Sequence, residues 1–305
     1  MTAAGVAAPR MRAIDAAAVA IMIGLTFSWA LNGVAAKLAN AGYNPVLLTL
    51  LRSLIGTVCV FIWCRWRRVP LFERDGTLLA GFAAGILFGG EFVLIYMGLD
   101  FTTVARSALM VNTMPFWVLL GAHFLLGERM SAQKLVGLVL AFGGVVLVFS
   151  DRLSLPDRDA IKGDLMSLAA GAFWAATTLV IKGSKLAKTS AEKVLLYQLA
   201  VSAVVTLPLL PFATPLVREP SALAVGALLF QAIFVVGFTY VVWFGIMRRY
   251  PAAGLSSFTF LTPAFGVLLG GTLLGEPLSI QIFLALGLIA AGLVLVNRVS
   301  KSQAS

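Results

Sequence analysis

The sequence is poor in the residues on which metal binding and hydrolysis depend. Among 305 residues it has a single histidine, His123, and two cysteines, Cys59 and Cys64. One histidine excludes most histidine-based metal sites and argues against hydrolytic chemistry. The two cysteines lie in or at the end of one apolar segment, so they do not imply a disulfide framework. We therefore expect no metal ion and no other cofactor.

Charged residues are scarce as well, at 12% of the chain, whereas 60% of the residues are hydrophobic and the mean hydropathy is +0.97. A soluble domain of this length does not need so much apolar surface, but helices that cross a bilayer need about 20 apolar residues each. The apolar runs are continuous and not alternating, which excludes a transmembrane β-barrel. The composition predicts an all-α polytopic membrane protein.

Loop residues divide the apolar sequence into ten predicted spans. Their limits are 14–37, 45–63, 77–97, 103–126, 133–150, 163–182, 192–211, 221–247, 253–274 and 279–297. Ser150–Lys162 is a short segment, as are all the segments between spans, so no soluble domain is expected. This segment joins two halves of five spans each, residues 1–150 and 151–305.

The net charge of +10 would suggest nucleic acid as the partner of a soluble protein. In a membrane protein, lysines and arginines instead mark the loops that stay in the cytoplasm. If the N-terminus is placed in the cytoplasm, sixteen of the 23 lysines and arginines fall on the inside and six on the outside. We therefore expect both termini in the cytoplasm, contact with membrane lipid, and no nucleic-acid partner.

A stretch of the first half reappears in the second half. Residues 104–149 align without a gap on residues 252–297, and 15 of the 46 positions are identical. The informative matches are polar residues and helix breakers: Pro115 with Pro263, Gly127 and Glu128 with Gly275 and Glu276, Ser131 with Ser279, Gln133 with Gln281, and Gly144 with Gly292. Apolar matches alone would prove little, but these matches in one register indicate a duplicated half.

The first span of each half also supports a duplication. Trp29 and Lys37 lie eight residues apart in the first span, and Trp174 and Lys182 lie eight apart in the sixth. We expect the two lysines to extend to opposite membrane faces. Because each half holds five spans, the second half must begin on the opposite side of the membrane. The sequence thus predicts a 5+5 inverted-topology repeat, which is common in secondary transporters.

Several motifs resemble those of a known family. The segment FSWALNGVAAKLA at 27–39 and the two copies of Leu-Leu-Gly-Glu, at 125–128 and 273–276, are similar to the EamA type of the drug/metabolite transporter superfamily. A finer resemblance, to the YddG-like amino-acid exporters, rests on three motifs: Gly90-Glu91-Phe92, Phe173-Trp174-Ala175-Ala176, and Gly237-Phe238-Thr239-Tyr240 with Trp243. The resemblance implies an exporter of the bacterial inner membrane with a central cavity between its halves.

Two prolines interrupt the fourth and ninth spans near their middle. Pro115 and Pro263 each remove a backbone donor and strain the preceding turn, which makes them candidate hinges. A static kink that shapes packing explains them equally well. Asn112 and Met114 lie beside Pro115 and are candidate cavity residues, although Asn112 could instead bond between helices. Met114 stands where the family resemblance would place an aromatic, which argues against a preference for aromatic substrates alone.

Four aromatic residues are candidates for the walls of the cavity. Trp29 and Trp174 lie too deep for an interfacial belt, whereas Tyr240 and Trp243 could also be interface anchors. Aromatic walls offer apolar surface and a weak attraction for an ammonium group. Asn32, one turn beyond Trp29, is a polar candidate in the same region.

Two charged residues are predicted to lie inside spans at a similar depth. Arg52 lies in the second span and Glu91 in the third, and a carboxylate within a span is by default a functional candidate. We expect the two side chains to interact, directly or through water. They would form a structural ion pair, or Glu91 would bind the ammonium group of a substrate or a coupled proton. Glu128 and Glu276, at span ends, are expected to cap or pack turns.

The favoured function is the export of small zwitterionic metabolites by alternating access, chiefly amino acids, including aromatic and apolar ones. An exporter of drugs, nucleosides or sugars is the main alternative. A membrane receptor or scaffold would not require an inverted repeat. A lipid-modifying enzyme would need clustered acids or histidines, so we do not expect an enzyme.

Overall fold

The computed structural model describes residues 14–99, 101–150, 158–274 and 280–298. Within these residues, nine helices are long and apolar enough to cross a membrane, and a further apolar helix, Gln281–Asn297, is slightly shorter. The prediction of an all-α polytopic membrane protein is confirmed.

The first half contains five spans built from six α-helices. They are α1 (Ala16–Gly42), α2 (Pro45–Trp66), α3 (Leu78–Leu99), α4 (Val104–Val111), α5 (Met114–Leu126) and α6 (Ala132–Phe149). The predicted fourth span is therefore two helices, α4 and α5, in succession.

The second half is more often interrupted. Its helices are α7 (Arg158–Gly183), α8 (Ala191–Thr206), α9 (Ala222–Leu229), α10 (Tyr240–Met247), α11 (Ala252–Ser257), α12 (Leu261–Leu274) and α13 (Ile280–Asn297). A π-helical segment, Phe230–Thr239, joins α9 to α10, and a 3-10 turn, Phe258–Phe260, joins α11 to α12. A 3-10 segment, Leu207–Phe212, also extends α8.

Local sequence explains where several helices begin and end. Asp15 accepts a hydrogen bond from the backbone N–H of Ala18 at 2.8 Å and caps α1, and Asn44 caps α2 in the same way. Pro45 at the first position of α2 needs no hydrogen bond there. Gly127 ends α5 in the left-handed region, at φ 68°, where a side chain would be strained.

The interruptions of the fourth and ninth spans lie immediately before their prolines. Between α4 and α5 the chain turns at Asn112 and Thr113, since Pro115 cannot donate to the carbonyl of Val111. Gly171 of α7 faces this turn, and a methyl group there would stand 2.8 Å from the carbonyl oxygen of Val111. The turn is therefore packed tightly against α7.

The most extensive helix contacts join one half of the chain to the other. They pair α6 with α13, α3 with α7 and α8, and α2 with α8. Glycines allow the closest approach: a methyl group at Gly292 would stand 2.5 Å from the carbonyl oxygen of Gly137, and one at Gly144 would stand 2.8 Å from that of Ala285. These two contacts run in opposite directions along the chain, so α6 and α13 pack antiparallel. The two halves share one core.

Candidate functional site

Trp29 is at the centre of an aromatic cluster that draws on three spans. Its ring centroid lies 5.5 Å from that of Trp243, 6.1 Å from Tyr240 and 6.3 Å from Trp174, all edge to face. Such geometry is favourable for aromatic pairs. The indole N–H also donates to the hydroxyl of Thr239 at 3.0 Å. The four aromatic residues singled out from the sequence are therefore brought together.

Tyr240 and Trp243 belong to the helix packing around Trp29. Trp243 is 3% exposed, and both side chains contact Trp29 in the interior of the bundle. Contact with Trp29 is expected of residues that share its cavity wall. The π-helical segment that ends at Thr239 changes the helical repeat, and α10 begins directly after it.

The cluster continues along α3. Phe88, Phe92 and Tyr96 follow one another at intervals of four residues, which places them on one face of the helix. Phe88 lies 6.0 Å from Tyr240 and 5.0 Å from Phe92, and Phe92 lies 6.1 Å from Tyr96. The sequence reasoning included only Phe92 of these three, although their helical spacing could have indicated the stripe.

Arg52 and Glu91 lie beside this stripe and are both buried. Arg52 is 2% exposed and Glu91 5% exposed. The guanidinium carbon of Arg52 lies 3.8 Å from the ring centroid of Phe92. In the described part of the chain the two charges form no direct ion pair, yet they interact electrostatically. Nε and both terminal nitrogens of Arg52, and Oε2 of Glu91, have no hydrogen-bond partner among the described residues.

A third buried polar side chain lies on α8. Gln198 is fully buried, and neither atom of its amide has a hydrogen-bond partner among the residues described. It lies one turn from Ser202, whose hydroxyl is 3.2 Å from that of Ser53, the neighbour of Arg52. Sequence reasoning missed Gln198, although an amide within a span is itself unusual.

The remaining candidates have different environments. Met114 is fully buried in a small apolar cluster, against which Trp174 packs. The Asn112 side chain donates to the carbonyl of Ala108 in its own helix, at 2.8 Å. Asn32 Oδ1 is buried with no hydrogen-bond partner in the described structure. Pro263 lies in α12, just after the 3-10 turn.

An ion pair that the sequence reasoning missed joins α4 to α7. Arg106 contacts both carboxylate oxygens of Asp164, and the hydroxyl of Thr102 donates to Asp164 Oδ1 at 2.8 Å. Both charged side chains are largely buried. The signal was available, since Asp164 falls within the predicted sixth span, as Glu91 falls within the third.

Polar contacts also tie helices at the opposite end of the bundle, where α1 begins. The hydroxyl of Tyr250 donates to Asp15 at 2.8 Å, and the ammonium group of Lys182 donates to the carbonyl of Tyr250. Donation from the backbone N–H of Ala18 and from Tyr250 lowers the pKa of Asp15. Lys182 is 8% exposed, so at this end of the bundle its side chain is covered by protein and does not extend into solvent. The side chain of Lys37 lies outside the described residues.

The glutamate of the first Leu-Gly-Glu motif links the two halves. Oε1 of Glu128 accepts a hydrogen bond from the backbone N–H of Ala252, at the start of α11, at 2.9 Å. This is a cap, as expected, but it caps a helix of the other half. Glu276, its counterpart in the second motif, lies outside the described residues.

One cavity lies away from the aromatic cluster. Its volume is about 490 Å³, and it is lined by residues 64–65 and 68–73, at the end of α2 and in the loop that follows. None of the residues singled out from the sequence as site candidates lines it.

Comparison with known proteins assigns this architecture to a family. The sequence model of the EamA-like transporter family matches the chain twice, over residues 16–150 and 161–298. A Bacillus subtilis protein named uncharacterized transporter YoaV is 29% identical over 279 residues, which cover 89% of this chain and 94% of that protein. An Escherichia coli protein named probable amino-acid metabolite efflux pump is 26% identical over 278 residues, covering 87% and 89%.

The fold is also shared with a protein of known structure. A crystal structure at 21% sequence identity matches with a TM-score of 0.78, over 92% of this chain and 97% of the other. At this identity the likeness concerns the fold alone.

Proposed function

This chain belongs to the EamA-like transporter family, within the drug/metabolite transporter superfamily, and we propose that it exports small metabolites, chiefly amino acids, by alternating access. A transporter of this family is a multi-pass membrane protein that acts on a small-molecule substrate. Export of amino acids is supported by the name of the Escherichia coli relative and by the motifs that resemble amino-acid exporters.

The proposed mechanism has the two halves, residues 1–150 and 151–305, as inverted repeats that exchange which side is open. The antiparallel packing of α6 against α13 supports this arrangement, because these are the last spans of each half. Ser53 with Ser202, and Gly56 with Leu199, likewise match α2 to α8 in opposite directions. In such transporters the substrate site lies between the repeats, near the middle of the bilayer.

The observation that carries the proposal is the Trp29 cluster next to a buried carboxylate. Trp29, Trp174 and Tyr240 come from both halves and offer aromatic faces to an apolar side chain and an ammonium group. Glu91 lies one turn from Phe88, which contacts Tyr240. We assign to Glu91 the binding of the substrate ammonium group or of a coupled proton, since a carboxylate buried in a span is a functional candidate.

The proposed location is the bacterial inner membrane, with both termini in the cytoplasm. The distribution of lysines and arginines among the loops supports this orientation. Pro115 and Pro263, each next to an interruption of its span, are the proposed hinges.

Export from loaded vesicles tests the proposal. Purified protein is reconstituted, the vesicles are loaded with a panel of amino acids, nucleosides, sugars and cationic drugs, and the release of each compound is measured. We expect apolar and aromatic amino acids to leave fastest. Release of cationic drugs or nucleosides alone would show that the amino-acid assignment is wrong and would favour the other exporters.

A further inference from the structure

Arg52 presents a charged group whose hydrogen-bonding capacity is unused. A guanidinium carries five N–H donors, and all three nitrogens of Arg52 are buried without a partner among the described residues. Leaving a buried donor unpaired costs about 1–3 kcal/mol, and a charged one more. Buried polar groups in native proteins are nearly always paired with protein, water or a ligand, so donors that no protein group accepts are available to a bound ligand.

The neighbours of Arg52 interact with its charge but accept none of its N–H donors. Phe92 packs against the guanidinium, whose central carbon lies 3.8 Å from the ring centroid; the ring attracts the charge but is not a hydrogen-bond partner of its N–H groups. Glu91 is near enough for an electrostatic interaction, but it makes no hydrogen bond to Arg52. The edge of the guanidinium, which suits a planar two-oxygen acceptor, remains without one.

The surroundings provide the rest of a polar site. Helices α2, α3 and α8 contact one another here. Ser53 and Ser202 bring α2 and α8 together, and Gln198, one turn from Ser202, has both amide atoms unpaired in the structure as described. Three helices therefore contribute a guanidinium, a carboxyl group and a neutral amide, each with buried atoms that have no hydrogen-bond partner among the described residues. The aromatic stripe of α3 leads from this point to Tyr240 and Trp29.

We infer that Arg52 binds the carboxylate of the transported substrate, with two parallel N–H···O bonds, while Glu91 binds its ammonium group. This inference rests on the proposed export of amino acids and makes it more specific. A guanidinium fork matches a carboxylate in shape and charge, and such bidentate bonds are stronger than neutral ones. A zwitterion carries one group complementary to each of these two side chains. The substrate class is then the α-amino acids, and amines, nucleosides and sugars without a carboxylate are rejected.

The first test uses the unaltered protein and three matched compounds. Reconstituted vesicles are loaded with leucine, with leucine amide and with isopentylamine, which lacks the carboxylate altogether. A charge-assisted hydrogen bond predicts that leucine leaves about tenfold faster than either analogue, or more. Equal rates for leucine and its amide would overturn the role of Arg52 and leave the proposed export of amino acids intact.

Variants of Arg52 test whether this residue causes the preference for leucine over leucine amide. In R52Q we expect leucine export to fall by about tenfold or more, to the rate of leucine amide, with amide export little changed. R52K, which keeps the charge but not the fork, should fall between the two. R106Q removes another buried arginine, that of the Arg106–Asp164 pair, and should slow leucine and its amide equally. An R52Q protein that still prefers leucine over its amide would contradict the inference.

A binding measurement that does not involve transport distinguishes this inference from the proposed function. The melting temperature of detergent-purified protein is measured with leucine, with the amide, and with 4-methylpentanoate, which has the carboxylate but no amine. Wild type should be stabilised by leucine and, more weakly, by 4-methylpentanoate, and R52Q by neither. Stabilisation by carboxylates in a protein that does not export leucine would support Arg52 and overturn amino-acid export. No stabilisation of wild type by any carboxylate would overturn the role of Arg52.

Discussion

The indole N–H of Trp29 donates to the hydroxyl of Thr239, 3.0 Å away, across the interface between α1 and the π-helical segment. The Thr239 hydroxyl donates in turn to the carbonyl of Val235 in its own segment. Trp29 is thus held by a hydrogen bond at its nitrogen and by three rings around it. π-Helical segments occur often at functional sites, and here the segment positions Thr239 and Tyr240 against the same indole.

Breaking this hydrogen bond should disturb the site more than the fold. We expect T239V to destabilise the protein by about 1 kcal/mol, the usual net value of one hydrogen bond, and to slow amino-acid export. W29F removes the same donor while keeping an aromatic ring. If both substitutions slow export by breaking this one hydrogen bond, the double variant should export no more slowly than the slower of the two single variants. Additive losses in export would contradict this account.

Glu91 is expected to matter for transport and not for stability. E91Q keeps the shape of the side chain and removes its charge, so export driven by a proton gradient should fall sharply while the melting temperature stays near that of wild type. The measurement compares release with and without an imposed gradient, together with thermal unfolding. Normal export accompanied by a loss of stability would assign Glu91 to a structural role.

The Arg106–Asp164 pair should contribute to stability in a way that single substitutions expose. Removing one partner leaves the other charge buried without this ion pair, so R106M and D164L should each destabilise by about 3–5 kcal/mol. The double variant R106M/D164L removes both charges and should recover most of this loss. Thermal or denaturant unfolding of the purified protein measures the loss of stability in each variant. A double variant whose loss equals the sum of the two single losses would contradict the prediction.

The contact between α6 and α13 tolerates no side chain at its glycines. A methyl group at Gly292 would stand 2.5 Å from the carbonyl oxygen of Gly137, so G292A should destabilise by about 1–3 kcal/mol. Gly143, also in α6, has no atom within 4 Å of such a methyl group. G143A is therefore the matched control and should leave the melting temperature unchanged or slightly raised. Equal effects of the two changes would show that the packing is not as described.

The ion pair between Asp75, in the loop before α3, and Lys193, in the first turn of α8, should make stability depend on pH. The ammonium group of Lys193, 2.8 Å away, and the hydroxyl of Thr77 lower the pKa of Asp75. A lowered folded-state pKa means that the contribution is present above the unfolded-state value, about 3.9, and is lost as the pH falls through the folded-state value. The melting temperature of D75N should therefore lie below that of wild type at neutral pH, and the gap should narrow in acid.

The exposed Asp159–Lys162 pair offers the control for this pH effect. Both side chains are more than half exposed, so D159N should change the melting temperature little at any pH. If the difference in melting temperature between wild type and D75N stays constant from neutral to acid pH, the ionisation of Asp75 is not its cause.

A site residue could be predicted where the residue type is itself unusual for its place in the sequence. Trp29, Trp174, Arg52 and Glu91 were found because a large aromatic or a charge deep within an apolar run is visible in the sequence itself. Gln198 went unnoticed, although its signal was of the same kind. Arg52 and Glu91 were expected to interact directly or through water, and they interact electrostatically without a hydrogen bond between them. The exact contact could not be predicted, because depth along two helices says nothing of their rotation about their axes.

The sequence by itself determined that this is a polytopic helical membrane protein, that a stretch of one half is repeated in the other, and where prolines interrupt two spans. Hydropathy, repetition and a missing backbone donor are local properties, which can be read without knowing what lies opposite. Only the tertiary structure decided that Tyr240 and Trp243 face Trp29, that Lys182 is buried, and that Arg52 contacts a ring and not a carboxylate. These relationships depend on which helices meet and on the face each presents, and both are set by packing between residues far apart in the chain.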